Sequence, residues 1–167
     1  ARTDPSVGIR QGSTMFMVPS DTPGFRVGKV FNKSGWRFYQ NAELIFEDAR
    51  VPADCLLGLV EGKGMHQLMG DLPYERLTIA LGGVAAMEGA VAETARYVRE
   101  RKAFGQAVVE FQNTRFKLAE VVTYTQVART FVDRCIEQLV KSELDTETAA
   151  MAKWWCSQKQ CEIIDEC

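Results

Sequence analysis

The sequence holds a single histidine, His66, among 167 residues, and none of its five cysteines (Cys55, Cys135, Cys156, Cys161, Cys167) forms a CxxC pair. A structural zinc site draws on clustered Cys and His, and a Ser-His-Asp triad needs a spare His, so both classes lack material. An odd number of scattered thiols fits reduced cysteines and an intracellular setting, a bacterial cytoplasm or a mitochondrial matrix, better than a disulfide framework. Basic charge is not in excess either. Twenty Lys and Arg stand against 22 Asp and Glu, giving a net charge of −2. That balance speaks against nucleic acid as a partner, because such a surface concentrates cations on one face. No apolar run reaches the roughly 20 residues of a membrane span. The opening Ala1-Arg2-Thr3-Asp4-Pro5 has neither region of a signal peptide. Internal repeats and low-complexity tracts are also missing.

What is present, at 46% hydrophobic and 25% charged residues, can bury a real core. Residues 1–57 read as β-structure. Short apolar runs (Met15-Phe16-Met17-Val18, Phe25 to Val30, Ala42 to Phe46) are broken by Pro19, Pro23 and Gly24. Pro52, Gly58, Gly62 and Gly64 then mark residues 58–70 as a connecting loop with at most a short helix. Residues 71–167 read as a helical bundle, cut short at its end. From about Tyr74 to Lys102 the apolar positions Leu77, Ala80, Leu81, Val84, Met87, Val91 and Ala95 recur at helical spacing, until Phe104-Gly105 stops the helix. A second helix runs from about Phe111 to Leu139. Asp145 is a good N-cap for a third, from Thr146 to Ile164. Short connections predict antiparallel packing, so the expected class is α+β: a partial β-barrel followed by an antiparallel helical bundle.

Few residues invite chemistry. Pro73 sits where a helix start would tolerate its missing N–H, and Glu75 follows it. Such a Glu either favours the helix dipole or, held in an apolar cleft, acts as a general base whose pKa desolvation has raised. Arg101 in Arg101-Lys102-Ala103-Phe104-Gly105 either complements the negative helix end or forks onto phosphate oxygens. Gln112 is either a surface amide or a ligand contact, and His66 is partly exposed or packed. Gly62-Lys63-Gly64 is too short for a dinucleotide fingerprint. No residues suggest a metal site.

Several segments, in order, resemble the acyl-CoA dehydrogenase family, and the likeness covers nearly the whole chain. They are Ser20-Asp21-Thr22-Pro23-Gly24, Glu43-Leu44-Ile45-Phe46-Glu47-Asp48-Ala49-Arg50-Val51-Pro52, Leu57-Gly58, Glu61-Gly62-Lys63-Gly64, Glu75-Arg76-Leu77, Arg101-Lys102-Ala103-Phe104-Gly105, Phe111-Gln112 and Ala150-Met151-Ala152-Lys153. Each is weak alone; the ordered set is specific. The resemblance implies the end of a middle β-domain plus most of a C-terminal helical domain, in a homodimer or homotetramer that binds FAD. It implies α,β-dehydrogenation of an acyl-CoA to the trans-2-enoyl-CoA, of medium or long chain, with electrons passed to an electron-transfer flavoprotein.

By the same resemblance Glu75 is the catalytic base, as in the long-chain and isovaleryl branches, where a Glu precedes an Arg on the first long bundle helix. His66, Pro73, Tyr74 and Arg76 border the substrate, and Arg101, Phe104 and Gln112 contact the flavin cofactor. Tyr39-Gln40-Asn41 departs from the Ser/Asn/Thr-rich trio that many members carry there. An acyl-CoA oxidase or flavin monooxygenase of the same fold, and a non-catalytic helical binding module, are the competing readings.

Overall fold

The computed structural model describes residues 1–167, which divide into two compact units, Ala1–Met69 and Gly70–Cys167. In the first unit the only extended ladder is antiparallel, between β1 (Phe25–Val30) and β2 (Ala42–Phe46). Phe25 pairs with Phe46 and Val27 with Leu44, and an irregularity between Val27 and Val30 shifts the register. The strand boundaries match the apolar runs because Gly24 can turn where other residues cannot. Its φ is +84°, and a Cβ there would lie 2.2 Å from the Glu47 carbonyl oxygen.

The expected partial barrel is not shown: residues 1–57 hold this two-stranded ladder, and a barrel needs every edge paired. Met15–Val18 is not a strand either. Phe16 makes one isolated bridge to Leu56, flanked by bonds from Met17 N–H to Cys55 O and from Leu57 N–H to Met15 O, before Pro19 ends the pairing. A short helix, α1 (Ile9–Gly12), also interrupts the stretch read as β-structure.

The long helix α2 runs Gly64–Glu100, so it begins ten residues before the expected Tyr74 and takes in half of the presumed 58–70 connection. Pro73 is therefore inside the helix, where its absent N–H removes a bond that a helix-interior residue normally donates. The second unit then has a small hairpin, β3 (Lys102–Ala103) with β4 (Gln106–Ala107), followed by α3 (Gln112–Val140) and α4 (Thr146–Glu166). Asp145 caps α4: its carboxylate accepts from the Thr148 N–H at 2.6 Å and the Thr148 hydroxyl at 2.8 Å.

Leu77, Ala80, Val84 and Met87 of α2 pack with Val121, Ala128, Val132 and Cys135 of α3 and with Ala152, Cys156 and Ile163 of α4 in one core. Ion pairs record the helix directions. Arg129 on α3 bridges to Glu88 near the middle of α2, and Lys117 at the start of α3 bonds Glu166 at the end of α4. Hence α3 is antiparallel to α4. Small residues let the helices approach: a Cβ at Gly83 would stand 3.3 Å from the Cys156 carbonyl oxygen. By length and composition α2 could cross a membrane. Its apolar stripe is already the core-facing side of this bundle.

Candidate active site

Helical spacing sorts the residues around Glu75. Leu77 is buried and faces the core, so Glu75, two positions and about 200° earlier around the helix, projects away from it. Leu72, Glu75 and Ile79 are three and four residues apart and share one face. With Tyr74, Arg76, Thr78 and Lys153 they line an open groove of about 490 Å³, walled mainly by apolar atoms. Glu75 is exposed and takes part in no ion pair or side-chain hydrogen bond. Arg76 and Pro73 are half-buried, and Tyr74 is exposed beside the groove. The Thr78 hydroxyl donates to the Tyr74 carbonyl at 3.0 Å and ties down this turn.

Position removes one reading of Glu75. A carboxylate favoured by the helix dipole belongs in the first turn, whereas Glu75 is eleven residues beyond Gly64. Leu72, Thr78, Ile79 and Lys153 are groove residues that sequence reasoning gave no role, although Lys153 closes the Ala150-Met151-Ala152-Lys153 segment. The place of Lys153 beside Glu75 depends on packing between α2 and α4, which local sequence does not show. His66 is exposed and belongs to the first unit.

A second group forms at the other end of α2. The Arg101 N–H bonds the Tyr97 carbonyl and the Val108 N–H bonds the Arg101 carbonyl, each at 2.8 Å, so the hairpin is pinned at its base. At its tip Phe104 adopts φ 52° and is 98% exposed, and Gly105 follows at φ 83° with open space around it. Phe104 meets Phe111 edge-on at 6.4 Å, which brings the tip beside Gln112, the first residue of α3. Arg101 has no carboxylate partner, and the Gln112 side chain is exposed without a hydrogen bond. An unpaired guanidinium, an outward ring and a free amide suit a ligand with phosphate and aromatic parts. The two groups are far apart. Twenty-six residues at about 1.5 Å each separate Glu75 from Arg101 by roughly 39 Å.

The ion pair of Glu88 and Arg129 is a different kind of site. Two bonds, at 2.7 and 2.8 Å, join the guanidinium to both carboxylate oxygens. The hydrogen bonds hold the Glu88 carboxyl below the usual carboxylate range and push Arg129 up, each against partial desolvation. Arg129 also reaches the Asp133 carboxylate at 3.5 Å, so the cluster joins helices and its polar groups are taken up within the bundle.

Comparison with known proteins identifies the family. The description "Acyl-CoA dehydrogenase, C-terminal domain" matches residues 62–167. The mitochondrial long-chain specific acyl-CoA dehydrogenase of Mus musculus is 43% identical over 93% of this chain, and the match covers 36% of that protein. An acyl-CoA dehydrogenase from Geobacillus kaustophilus superposes with a TM-score of 0.94 at 41% identity, covering 99% of this chain and 43% of that one. A glutaryl-CoA dehydrogenase from Mycobacterium smegmatis, solved in complex with FADH2, superposes with a TM-score of 0.86 at 25% identity, over 92% of this chain and 39% of that one. The chain thus spans little more than a third of the length of the curated relatives it matches. With a family domain matched across most of its length, the chain belongs to the acyl-CoA dehydrogenase family.

Proposed function

We propose that this chain contributes the catalytic base and the helical half of the substrate groove to an enzyme that dehydrogenates acyl-CoA thioesters between the α and β carbons. The observation that carries the reading is Glu75: a carboxylate without an internal partner, in mid-helix, on the rim of an apolar groove. A structural carboxylate at that position would be expected to hold a partner, as Glu88 does.

The roles of the side chains follow from their places. Glu75 accepts the α-proton of the thioester at a carboxylate oxygen. An acyl chain lying over Leu72 and Ile79 would displace water from it. Pro73 and Tyr74 flank the chain, and Arg76 and Lys153 offer cations to its polar end. FAD, when bound, supplies the acceptor for the β-hydride. Arg101 would hold its phosphates, and Phe104 and Gln112 its neighbouring parts. Because those residues lie roughly 39 Å along α2 from Glu75, one copy's hairpin would hold a flavin used with another copy's base. The enzyme is therefore a homodimer or homotetramer. An electron-transfer flavoprotein takes the electrons, and medium or long acyl chains are the substrates, in keeping with the long-chain relative. The compartment follows the source, a mitochondrial matrix or a bacterial cytoplasm.

Glu75→Gln in the whole protein tests the reading. FAD content is expected to be unchanged, and turnover with a long-chain acyl-CoA and an artificial electron acceptor to fall roughly 10²–10⁴-fold. Turnover within a few-fold of the parent would sink the assignment. Oxygen uptake with peroxide release at the rate of turnover would mark an oxidase instead.

A further inference from the structure

Proline occurs five times in this chain, and four of the five (Pro5, Pro19, Pro23 and Pro52) lie outside helices and strands. Pro73 is the exception, nine residues beyond Gly64, the first residue of α2. A first turn tolerates proline, because the N–H it lacks has no partner there. At Pro73 the loss is felt. An N–H in that place would donate to the Met69 carbonyl four residues back, and the proline ring crowds the same carbonyl instead. Gly70 and Asp71, in the same turn, are also poor helix formers, and Gly70 has no positive φ that would call for glycine. The division of the chain into two units falls at the same place, between Met69 and Gly70. By contrast, α3 and α4 contain neither glycine nor proline.

These helix-weakening residues stand immediately before Glu75. Pro73 leads a series, with Leu77, Ala80, Val84 and Met87, at the four- and three-residue spacing of the stripe that enters the core. Glu75, two positions on, faces the groove with Leu72 and Ile79. The Pro73 and Glu75 side chains therefore point to different sides, and Pro73 acts on Glu75 through the backbone of the turn they share. A turn that lacks one of its bonds adjusts more readily than a complete one. A general base has use for that freedom, because it must come within hydrogen-bond reach of the proton it takes.

We propose that Pro73 is a positioning residue for the base: the bond missing between Pro73 and Met69 keeps residues 70–76 loose enough for Glu75 to close on the α-carbon of a bound thioester. The inference rests on the reading of Glu75 as the base. Its test compares Pro73→Ala with Pro73→Gly in the whole, flavin-loaded protein. Both restore the N–H and delete the ring, but alanine favours the helix and glycine leaves the turn weak. Pro73→Ala is expected to raise the thermal midpoint by a few degrees and to lower kcat roughly tenfold, with KM for the thioester within about twofold of the parent. Pro73→Gly is expected to keep at least about threefold more kcat than Pro73→Ala, and its amides at residues 74–77 to exchange faster. Equal losses of kcat in the two variants would mean that the ring acts by contact, and would overturn the proposal. So would a kcat in Pro73→Ala within about twofold of the parent, with or without a change in KM, or a lowered midpoint. Glu75→Gln, measured beside them, separates this inference from the reading beneath it. If that variant keeps its turnover, Glu75 is not the base and both fall; if it loses turnover while Pro73→Ala does not, only the role of Pro73 is lost.

Discussion

Glu75 and Glu88 stand thirteen residues apart on one helix and have opposite fates. Glu88 is clamped by Arg129 through two hydrogen bonds, and its proton affinity is lowered by them. Glu75 has no such partner and stands on an apolar groove rim. A carboxylate whose oxygens are already occupied makes a joint between helices; one whose oxygens are free can take a proton from something that arrives. The sharpest way to break this contrast is to make the same change at both sites. Glu75→Gln should cost roughly 10²–10⁴-fold in turnover and leave the unfolding midpoint alone. Glu88→Gln should leave turnover within a few-fold. A matching loss of turnover at Glu88 would mean that the two carboxylates do not differ in kind.

The next largest effect tests whether the core-facing side of α2 is independent of its groove side. Met87 is fully buried among residues of all three helices. Met87→Ala should destabilise the second unit by about 2–5 kcal/mol, read from urea unfolding, with KM for the thioester little changed. A large KM change without loss of stability would couple the two faces.

Much of this helix was legible in the sequence, but not its beginning. Leu77, Ala80, Val84 and Met87 mark the buried stripe by spacing alone, and Asp145 announces α4 because a cap acts through bonds to its own neighbours. Pro73 reads as a helix-start residue, yet α2 begins at Gly64 and continues through it, because propensity is a weak prior that a long helix can override. That misplaced start is why Glu75 could be taken for a first-turn carboxylate. Lys153 shows the other limit: its place at the groove comes from packing between α2 and α4. The pairing of Met15–Val18 likewise depends on chain neighbours that periodicity cannot supply.

A smaller effect concerns the buried thiols. Burial pushes the Cys156 thiol up to about 11, with nearby Cys135 adding to the shift, against an ordinary value of 9.0. A raised folded-state pKa gives stability that is fully present below pH 9 and is lost as pH rises from about 9 to about 11, because the unfolded thiol ionises first. The loss should be on the order of 1–2 kcal/mol by pH 11. Lys and Tyr side chains titrate in the same range, so the measurement is the difference in thermal midpoint between the parent and Cys156→Ala across that window. An unchanged difference would show that the site is not dry. In the native protein the exposed Cys161 and Cys167 should react with a thiol reagent before Cys135 and Cys156.

The smallest effect returns to Glu88. Its side chain is 45% exposed and that of Arg129 26%, so solvent and salt screen the pair. Glu88→Gln should therefore cost only about 1 kcal/mol, the upper end for a well-aligned bidentate pair near the surface. The sign with pH is definite. The folded-state pKa of Glu88 is lowered, so the contribution is present above the ordinary carboxylate range and fades as pH falls through it. At a pH low enough to protonate Glu88, parent and variant should unfold together, and added salt at neutral pH should narrow the gap between them. Arg129→Met offers the harder test, because it leaves Glu88 free as Glu75 is free. If a partnerless carboxylate on α2 were enough to make a base, that variant would gain activity of its own in a Glu75→Gln background. No rescue is expected, since Glu88 is absent from the lining of the groove and has no place for an acyl chain beside it.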